Sequence, residues 1–362
     1  MPRPLPRTPP LDSAMPLAPL AGHEAVKSLL AGAASAGRLP QAMLFAGPRG
    51  VGKQRLALWL AQVLACVRPG REPCGDCRPC RQVLTLQHPD VHWFVPLEVS
   101  KKGADADKQV ELVAEALAEE ITARREQPLY DPFAATAGGG GLASHAIAAV
   151  RLLLRRVVLT PAAGSRKVFI VGDAERLIPQ HGMEDAANAL LKVLEEPPAD
   201  TTIILTASDP NALLPTILSR VVLVRVARLP DSVVAAFAQQ VLGISSKAEL
   251  TQRVSTAEGC IGKLFATGGV RSGSLAQADR FLAAPLAFAL GQVPYQARGG
   301  FTDMLDALAG RLREEAGAGG ETDKLVEAIA RVMDARQLAQ GNVNPQLLAA
   351  VLAGDVEQAR PS

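Results

Sequence analysis

The chain has 362 residues, 48% of them apolar and 4% aromatic, and a formal net charge of +2. That length exceeds what one hydrophobic core usually organises, so two or three domains are expected. No apolar stretch is free enough of charge, Gly and Pro to span a bilayer, and so small a charge does not mark a dedicated DNA-coating surface, which leaves nucleic acid to local basic patches or to partners.

The first ten residues, Met-Pro-Arg-Pro-Leu-Pro-Arg-Thr-Pro-Pro, have no apolar signal core and predict a disordered extension over residues 1–16. Met15 opens the segment that leads into the first domain, which leaves Met1 and Met15 as alternative translation starts. The lack of a signal, together with clustered cysteines, predicts a reducing cytoplasm.

Met43-Leu44-Phe45-Ala46 reads as a buried strand, and residues 53–66 are rich in helix formers. Between them lies Gly47-Pro-Arg-Gly50-Val-Gly52-Lys53-Gln54, a phosphate-binding loop complete except at its last position. In such a loop the glycines let backbone N–H groups curl around a triphosphate. The lysine reaches the outer phosphates, and a final Ser or Thr hydroxyl ligates Mg²⁺. A glutamine amide is a poor substitute for that hydroxyl on a hard octahedral cation. ATP binding is therefore expected to be weak or absent.

Cys66, Cys74, Cys77 and Cys80 follow in the pattern C-x7-C-x2-C-x2-C. Four thiolates at such spacings satisfy a tetrahedral Zn²⁺ with no position left open, which predicts a structural zinc module over 66–80. An iron–sulfur cluster is the rival, although its usual fourth cysteine lies downstream rather than upstream. Cys260 stands apart and reads as a small buried residue.

The segment from about 97 to 142 contains Val110, Val113, Leu117 and Ile121 at helical spacing, then a flexible Gly138–Gly141 run. Residues 144–158 place Ile147, Val150, Leu154 and Val157 on one helical face and Arg151 with Arg155 on another. Lys167–Val171 is a second buried strand, followed by Gly172-Asp173. A Walker B strand normally ends in two acids, the first holding Mg²⁺ and the second polarising the attacking water. Gly172 takes the first position here, so both protein anchors for the cation are missing. Residues 185–196 predict an amphipathic helix stopped by Pro197, Thr202–Thr206 a strand, and 214–220 a turn of helix opening into the apolar run 221–226.

NALLKVLEEPP, DPNALLPTILSR and the cysteine module placed after the P-loop helix resemble the clamp-loader branch of the AAA+ family. HEAVKSLLAGAASAGRLPQAMLFAGPRGVGK resembles its N-terminal block, and NVNPQLLAAVL its C-terminal collar helix. Within that branch the departures at Gln54 and Gly172 resemble the delta-prime type of subunit of bacterial DNA polymerase III more than the gamma or tau motors. The resemblance implies an α/β fold in three parts. These are an AAA+ RecA-like parallel-sheet domain over 17–226 carrying the zinc module, a helical lid over 227–272, and an all-helical collar over 273–362. It implies a non-hydrolysing stator with no intrinsic ATPase, part of a DNA-directed DNA polymerase holoenzyme by association; the alternative is an active ATPase of the gamma or tau type. Gly47, Gly50, Gly52, Lys53, Gln54 and Asp173 would form the degenerate nucleotide site. Arg220, matching the arginine of the family's Ser-Arg-Cys motif with Val221 in place of Cys, would reach into a neighbour's ATP site. The implied partners are gamma or tau and delta subunits in a hetero-pentamer, with the sliding clamp and primer-template DNA met through the assembly and no membrane.

Overall fold

The computed structural model describes residues 17–68, 70–97, 105–126, 143–164, 166–178, 184–265, 270–290, 298–317, 322–339 and 345–359. The expected N-terminal extension and the Gly138–Gly141 run lie outside them. The described residues form two compact units, one ending at Phe265 and the other beginning after it.

The first unit opens with α1 (Glu24–Ser35), β1 (Ala42–Ala46), α2 (Lys53–Ala65), α3 (Arg78–Leu84) and β2 (Val91–Phe94). It continues with α4 (Ala106–Glu126), α5 (Ile147–Val157), β3 (Lys167–Val171), α6 (Asp185–Glu195), β4 (Thr201–Ala207), α7 (Pro215–Leu218) and β5 (Val222–Arg225). The five strands form one parallel sheet in the order β2-β3-β4-β1-β5. Every residue of β1, β3 and β4 is buried, which explains their unbroken apolar runs: a parallel sheet is covered on both faces. Side chains alternate between the faces. Leu44, Phe169 and Leu205 enter a core shared with α4, α5 and α6, whereas Met43, Phe45, Val168 and Ile204 enter one shared with α1 and α2. The β5 edge is different, leaving Val222 and Leu223 50% and 44% exposed.

In α4, Val110, Val113 and Leu117 are buried and Ile121 is partly covered, so one stripe of this helix packs down. Helix α5 buries Leu152 and Leu153 as well as the expected Val150 and Val157. The cause is its position between α4 and α6, which requires more than one apolar stripe. Arg155 pairs with Asp107 at the start of α4, and Arg151 is exposed.

Asp90, just before β2, braces the turn that precedes β3. Its carboxylate accepts from the backbone N–H groups of Ala162 at 2.5 Å and of Ala163 and Gly164 at 2.8 Å. Burial pushes this carboxyl up, but the three N–H donors outweigh it and hold the group below its ordinary value. Its folded pKa is thus lower than its unfolded one, so the stabilisation is present above the unfolded pKa and is lost as pH falls through the folded one. Asp90→Ala is expected to cost about 2 kcal/mol at neutral pH, with the deficit shrinking in acid, as read by urea unfolding at several pH values.

The unit ends in a small helical group: α8 (Asp231–Leu242), α9 (Lys247–Ala257) and α10 (Gly262–Phe265). Helix α9 starts with a Ser246-x-x-Glu249 capping pattern in which Ser246 accepts from the Glu249 N–H. Val234, Phe237, Val254 and Leu264 form the core of this group, with the Phe237 and Phe265 rings edge to face at 5.9 Å.

The second unit is all helical: α11 (Val270–Ala283), α12 (Pro285–Leu290), α13 (Arg298–Gly317), α14 (Thr322–Ala339) and α15 (Pro345–Ala359). Phe281, Phe301, Leu305, Leu308, Val332 and Leu352 meet in its core. Helix α11 runs through the 272/273 boundary read from the sequence.

Candidate functional site

The loop between β1 and α2 delivers Gly52 as the N-cap of α2 with φ of 106°, a left-handed conformation that favours glycine. No side chain caps this end, so the first-turn N–H groups of α2 remain available to an anion. Lys53 folds back over the loop, and Nζ donates to Gly47 O at 2.8 Å, Pro48 O at 3.0 Å and Ser208 Oγ at 3.0 Å. Burial lowers its pKa, opposed by the Glu175 and Asp173 carboxylates. Gly262, at the start of α10, donates its N–H to Gly50 O at 2.8 Å, so the small helical group rests directly on the loop. On the other side His23 donates from Nε2 to Val51 O at 2.9 Å. Burial lowers the pKa of that ring, which favours its neutral form.

Gln54 and Gly172 are brought face to face. A Cβ added at Gly172 would lie 2.7 Å from Gln54 Oε1 and 2.9 Å from Nε2, so the carboxamide fills the space that an acidic side chain at 172 would enter. Trp93 in β2 donates from its indole Nε1 to Gln54 Oε1 at 3.0 Å and fixes the carboxamide there. Behind Gly172, the carbonyl oxygen is bonded by His145 Nε2 at 2.6 Å, and burial pushes this imidazole down to about 4. Asp173 has a left-handed backbone, φ 49°, and donates its N–H to Thr206 Oγ1 at 3.0 Å. Glu175 accepts from the Ser208 N–H at 3.0 Å through Oε1, while Oε2 is buried without a hydrogen-bond partner. Burial, with help from Asp173, raises its pKa.

These residues do not fit a magnesium ion at the 54/172 position. The hydroxyl and the first carboxylate are absent, and an amide with a fixed hydrogen bond takes up the volume. Sequence reasoning missed Trp93, whose only signal is the β-prone aromatic run Val91-His-Trp-Phe94, and it missed Ser208 and Glu175 as partners of the loop.

The cysteine cluster is brought together at the other end of α2, where Cys66 is the C-cap. The four Sγ atoms of Cys66, Cys74, Cys77 and Cys80 lie within 4.8 Å of one another, and all four thiols are free. Cys74 Sγ and Cys80 Sγ are 3.9 Å apart, against about 3.8 Å between two sulfurs on a tetrahedral zinc. Backbone N–H groups of Cys77 and Cys74 point at Cys74 Sγ and Cys66 Sγ at 3.4 and 3.5 Å. The Cys77 N–H bond leads in holding the Cys74 thiol at about 6, whereas burial pushes Cys80 up. The set fits a structural metal ion such as zinc. Glu72 ties the module to the fold by accepting from Trp59 Nε1 at 2.9 Å and pairing with Lys27 at 3.0 Å.

Arg220 is not among the residues around Lys53. It follows α7 and leads into β5, where Nε donates to Glu195 Oε1 at 2.8 Å at the end of α6 and an Nη group donates to Thr216 O at 2.9 Å. The two side chains of this ion pair are 30% and 48% exposed. Exposed Val222 and Leu223 lie immediately after it.

Comparison with known proteins places this geometry in a family. A DNA polymerase III subunit delta' of Bacillus subtilis (strain 168) is 33% identical over 195 residues, which are 54% of this chain and 44% of that protein. The corresponding subunit of Pseudomonas aeruginosa is 34% identical over 50% of this chain and 41% of its own length. A DNA polymerase III subunit tau of Escherichia coli (strain K12) is 32% identical over 56% of this chain and 24% of its own length. The chain thus spans less than half the length of the curated relatives it matches. No described helix is long and apolar enough to cross a membrane. A family model described as DNA polymerase III, delta subunit, matches residues 22–230, more than half of the chain and the whole of the parallel sheet, and the protein belongs to that family.

Proposed function

We propose that this chain is a delta-prime-type stator of a DNA polymerase III clamp loader, a subunit that helps place a sliding clamp on primed DNA without hydrolysing ATP itself. The observation that carries this reading is the filled cation position: Gln54 stands where the loop hydroxyl would be, Gly172 where the first carboxylate would be, and the carboxamide held by Trp93 takes up the space between them. Without that cation, charge developing on the transferred phosphoryl group goes unneutralised. The parallel-sheet unit would then serve as a rigid body, with α8–α10 as its lid and the second helical unit as a collar joining gamma or tau and delta subunits. Arg220 would complete a neighbour's ATP site, and the exposed apolar residues beside it suit a covered surface. Zn²⁺ on Cys66, Cys74, Cys77 and Cys80 would hold the module after α2 without chemistry of its own. A cytoplasmic location follows from that role.

The likeness to a tau subunit favours a second reading, an active motor. Steady-state ATPase of the isolated chain separates the two. Background turnover is expected for the natural sequence, with hydrolysis appearing only when Gln54→Ser and Gly172→Asp are combined, since the carboxylate alone would meet the Gln54 amide. Turnover that disappears on Lys53→Ala would establish the motor instead.

A further inference from the structure

Between Cys66 and Arg81 the chain carries four arginines, no lysine and no aromatic residue. Arg68, Arg71, Arg78 and Arg81 are all exposed. The two acids of the same stretch are already engaged: Glu72 turns toward the fold, onto Trp59 and Lys27, and Asp76 pairs with Arg68 at 3.0 Å. Arg71, Arg78 and Arg81 have no ion-pair or hydrogen-bond partner for their side chains among the described residues. Exposed arginines such as Arg155, Arg228 and Arg331 each meet a carboxylate instead. Arg78 opens α3 and Arg81 follows three residues later, so the two share one face of that helix, with Cβ atoms about 5–6 Å apart. Arg71 leaves the turn between Cys66 and Cys74, and the convergence of the four Sγ atoms draws turn and helix into one knot. A zinc tetrathiolate would bring two negative charges of its own, but they centre on thiols that are buried or half-buried, beneath the exposed guanidinium groups.

We infer that the face of the cysteine module formed by Arg71, Arg78 and Arg81 binds the phosphate backbone of DNA without regard to base sequence. A guanidinium meets phosphate oxygens through a planar fork, and free guanidinium groups with no acid beside them release counterions from a polyanion when they bind it. The absence of aromatic residues removes base stacking, so the contact positions the strand and does not read it. DNA as the polyanion follows from the proposed place in a clamp loader, and the inference rests on that reading. The module then does more than hold its own fold: it is the local basic patch of a chain whose net charge is only +2.

The test is fluorescence anisotropy of a labelled primer-template duplex titrated with the full, zinc-loaded chain at salt concentrations from about 50 to 200 mM. Binding is expected to weaken steadily with salt and to be equal for two unrelated base sequences. Arg71→Gln, Arg78→Gln and Arg81→Gln combined should weaken binding at the lowest salt by about tenfold or more. They should also reduce the log–log salt slope by about 2–3, since each phosphate contact contributes about 0.9. Zinc content and hydrogen-exchange protection of α3 check that the combined protein is folded. Each single variant should lower the slope by about one, which keeps the test decisive if the combined protein loses its metal. Arg225→Gln, at an exposed and unpaired arginine of β5, should change neither quantity. No binding by the natural chain, a slope unchanged by the combined substitutions, or an equal loss in Arg225→Gln would each overturn the inference. A polyglutamate peptide held more tightly than the DNA would also overturn it and give the surface to an acidic protein partner. Any of these results beside background ATPase leaves the stator reading standing, whereas turnover that depends on Lys53 removes that reading whatever the anisotropy shows.

Discussion

Replacing Arg220 by Ala in a fully assembled clamp loader is expected to slow ATP hydrolysis at the neighbouring subunit's site by about a thousandfold or more. The physical need is a cation held in place before the γ-phosphoryl group acquires negative charge, and a guanidinium meets phosphate oxygens through a planar fork. In the isolated chain that fork is engaged by Glu195 and by the Thr216 carbonyl. These contacts keep the side chain ordered at the start of β5. The pair is half-exposed, and exposed ion pairs contribute only about 0–1 kcal/mol, so the variant should fold and assemble normally. Single-turnover hydrolysis by the reconstituted complex, stimulated by DNA and clamp, reads the effect. Arg220→Lys should recover only part of the rate, because it restores charge without the fork. Unchanged rates in an assembled Arg220→Ala complex would show that the arginine serves only to cap α7 and pair with Glu195.

Removing the metal should have the largest effect on local stability. A structural zinc site supplies about 10 kcal/mol or more of folding free energy, set beside only the buried Val83 and the Glu72 contacts to Trp59 and Lys27 for the segment it holds. Helix α3 is seven residues long, too short to persist alone, and Cys77 is its N-cap. Cys77→Ser, or treatment with a strong chelator, is therefore expected to release one zinc per chain and to remove hydrogen-exchange protection from residues 78–84. The parallel sheet, whose cores are filled by other residues, should keep its protection. Iron with sulfide in the purified protein, or unchanged protection of α3 after metal removal, would contradict this account.

Much of this was readable from residue order because the determinants are local. The strands β1, β3 and β4 are continuous apolar runs, the loop glycines are close in sequence, and C-x2-C spacing converges on one centre by itself. The features that decide the chemistry are long-range. Gln54 and Gly172 each look like simple losses in sequence, yet in the fold one fills the space before the other, and Trp93 from a third element pins the pair. Strand β2 is only four residues long and His92 interrupts its apolar run, so residue order alone marks it weakly. The wide burial of α5 escaped a single-stripe reading since periodicity shows one face, while two neighbouring helices cover this one. The pairing of Arg220 with Glu195 joins positions 25 residues apart, a contact created by the packing of α6 against α7 and the turn that follows it.

The central claim is that this chain works in the loader without using its own P-loop for hydrolysis. Its most direct test is a loader reconstituted with gamma or tau and delta subunits in which only this chain carries Lys53→Ala, with clamp- and DNA-stimulated ATPase measured against the unmodified complex. The account predicts the same turnover in both, since every hydrolysed ATP belongs to another subunit. A loss of turnover equal to one active site would contradict it.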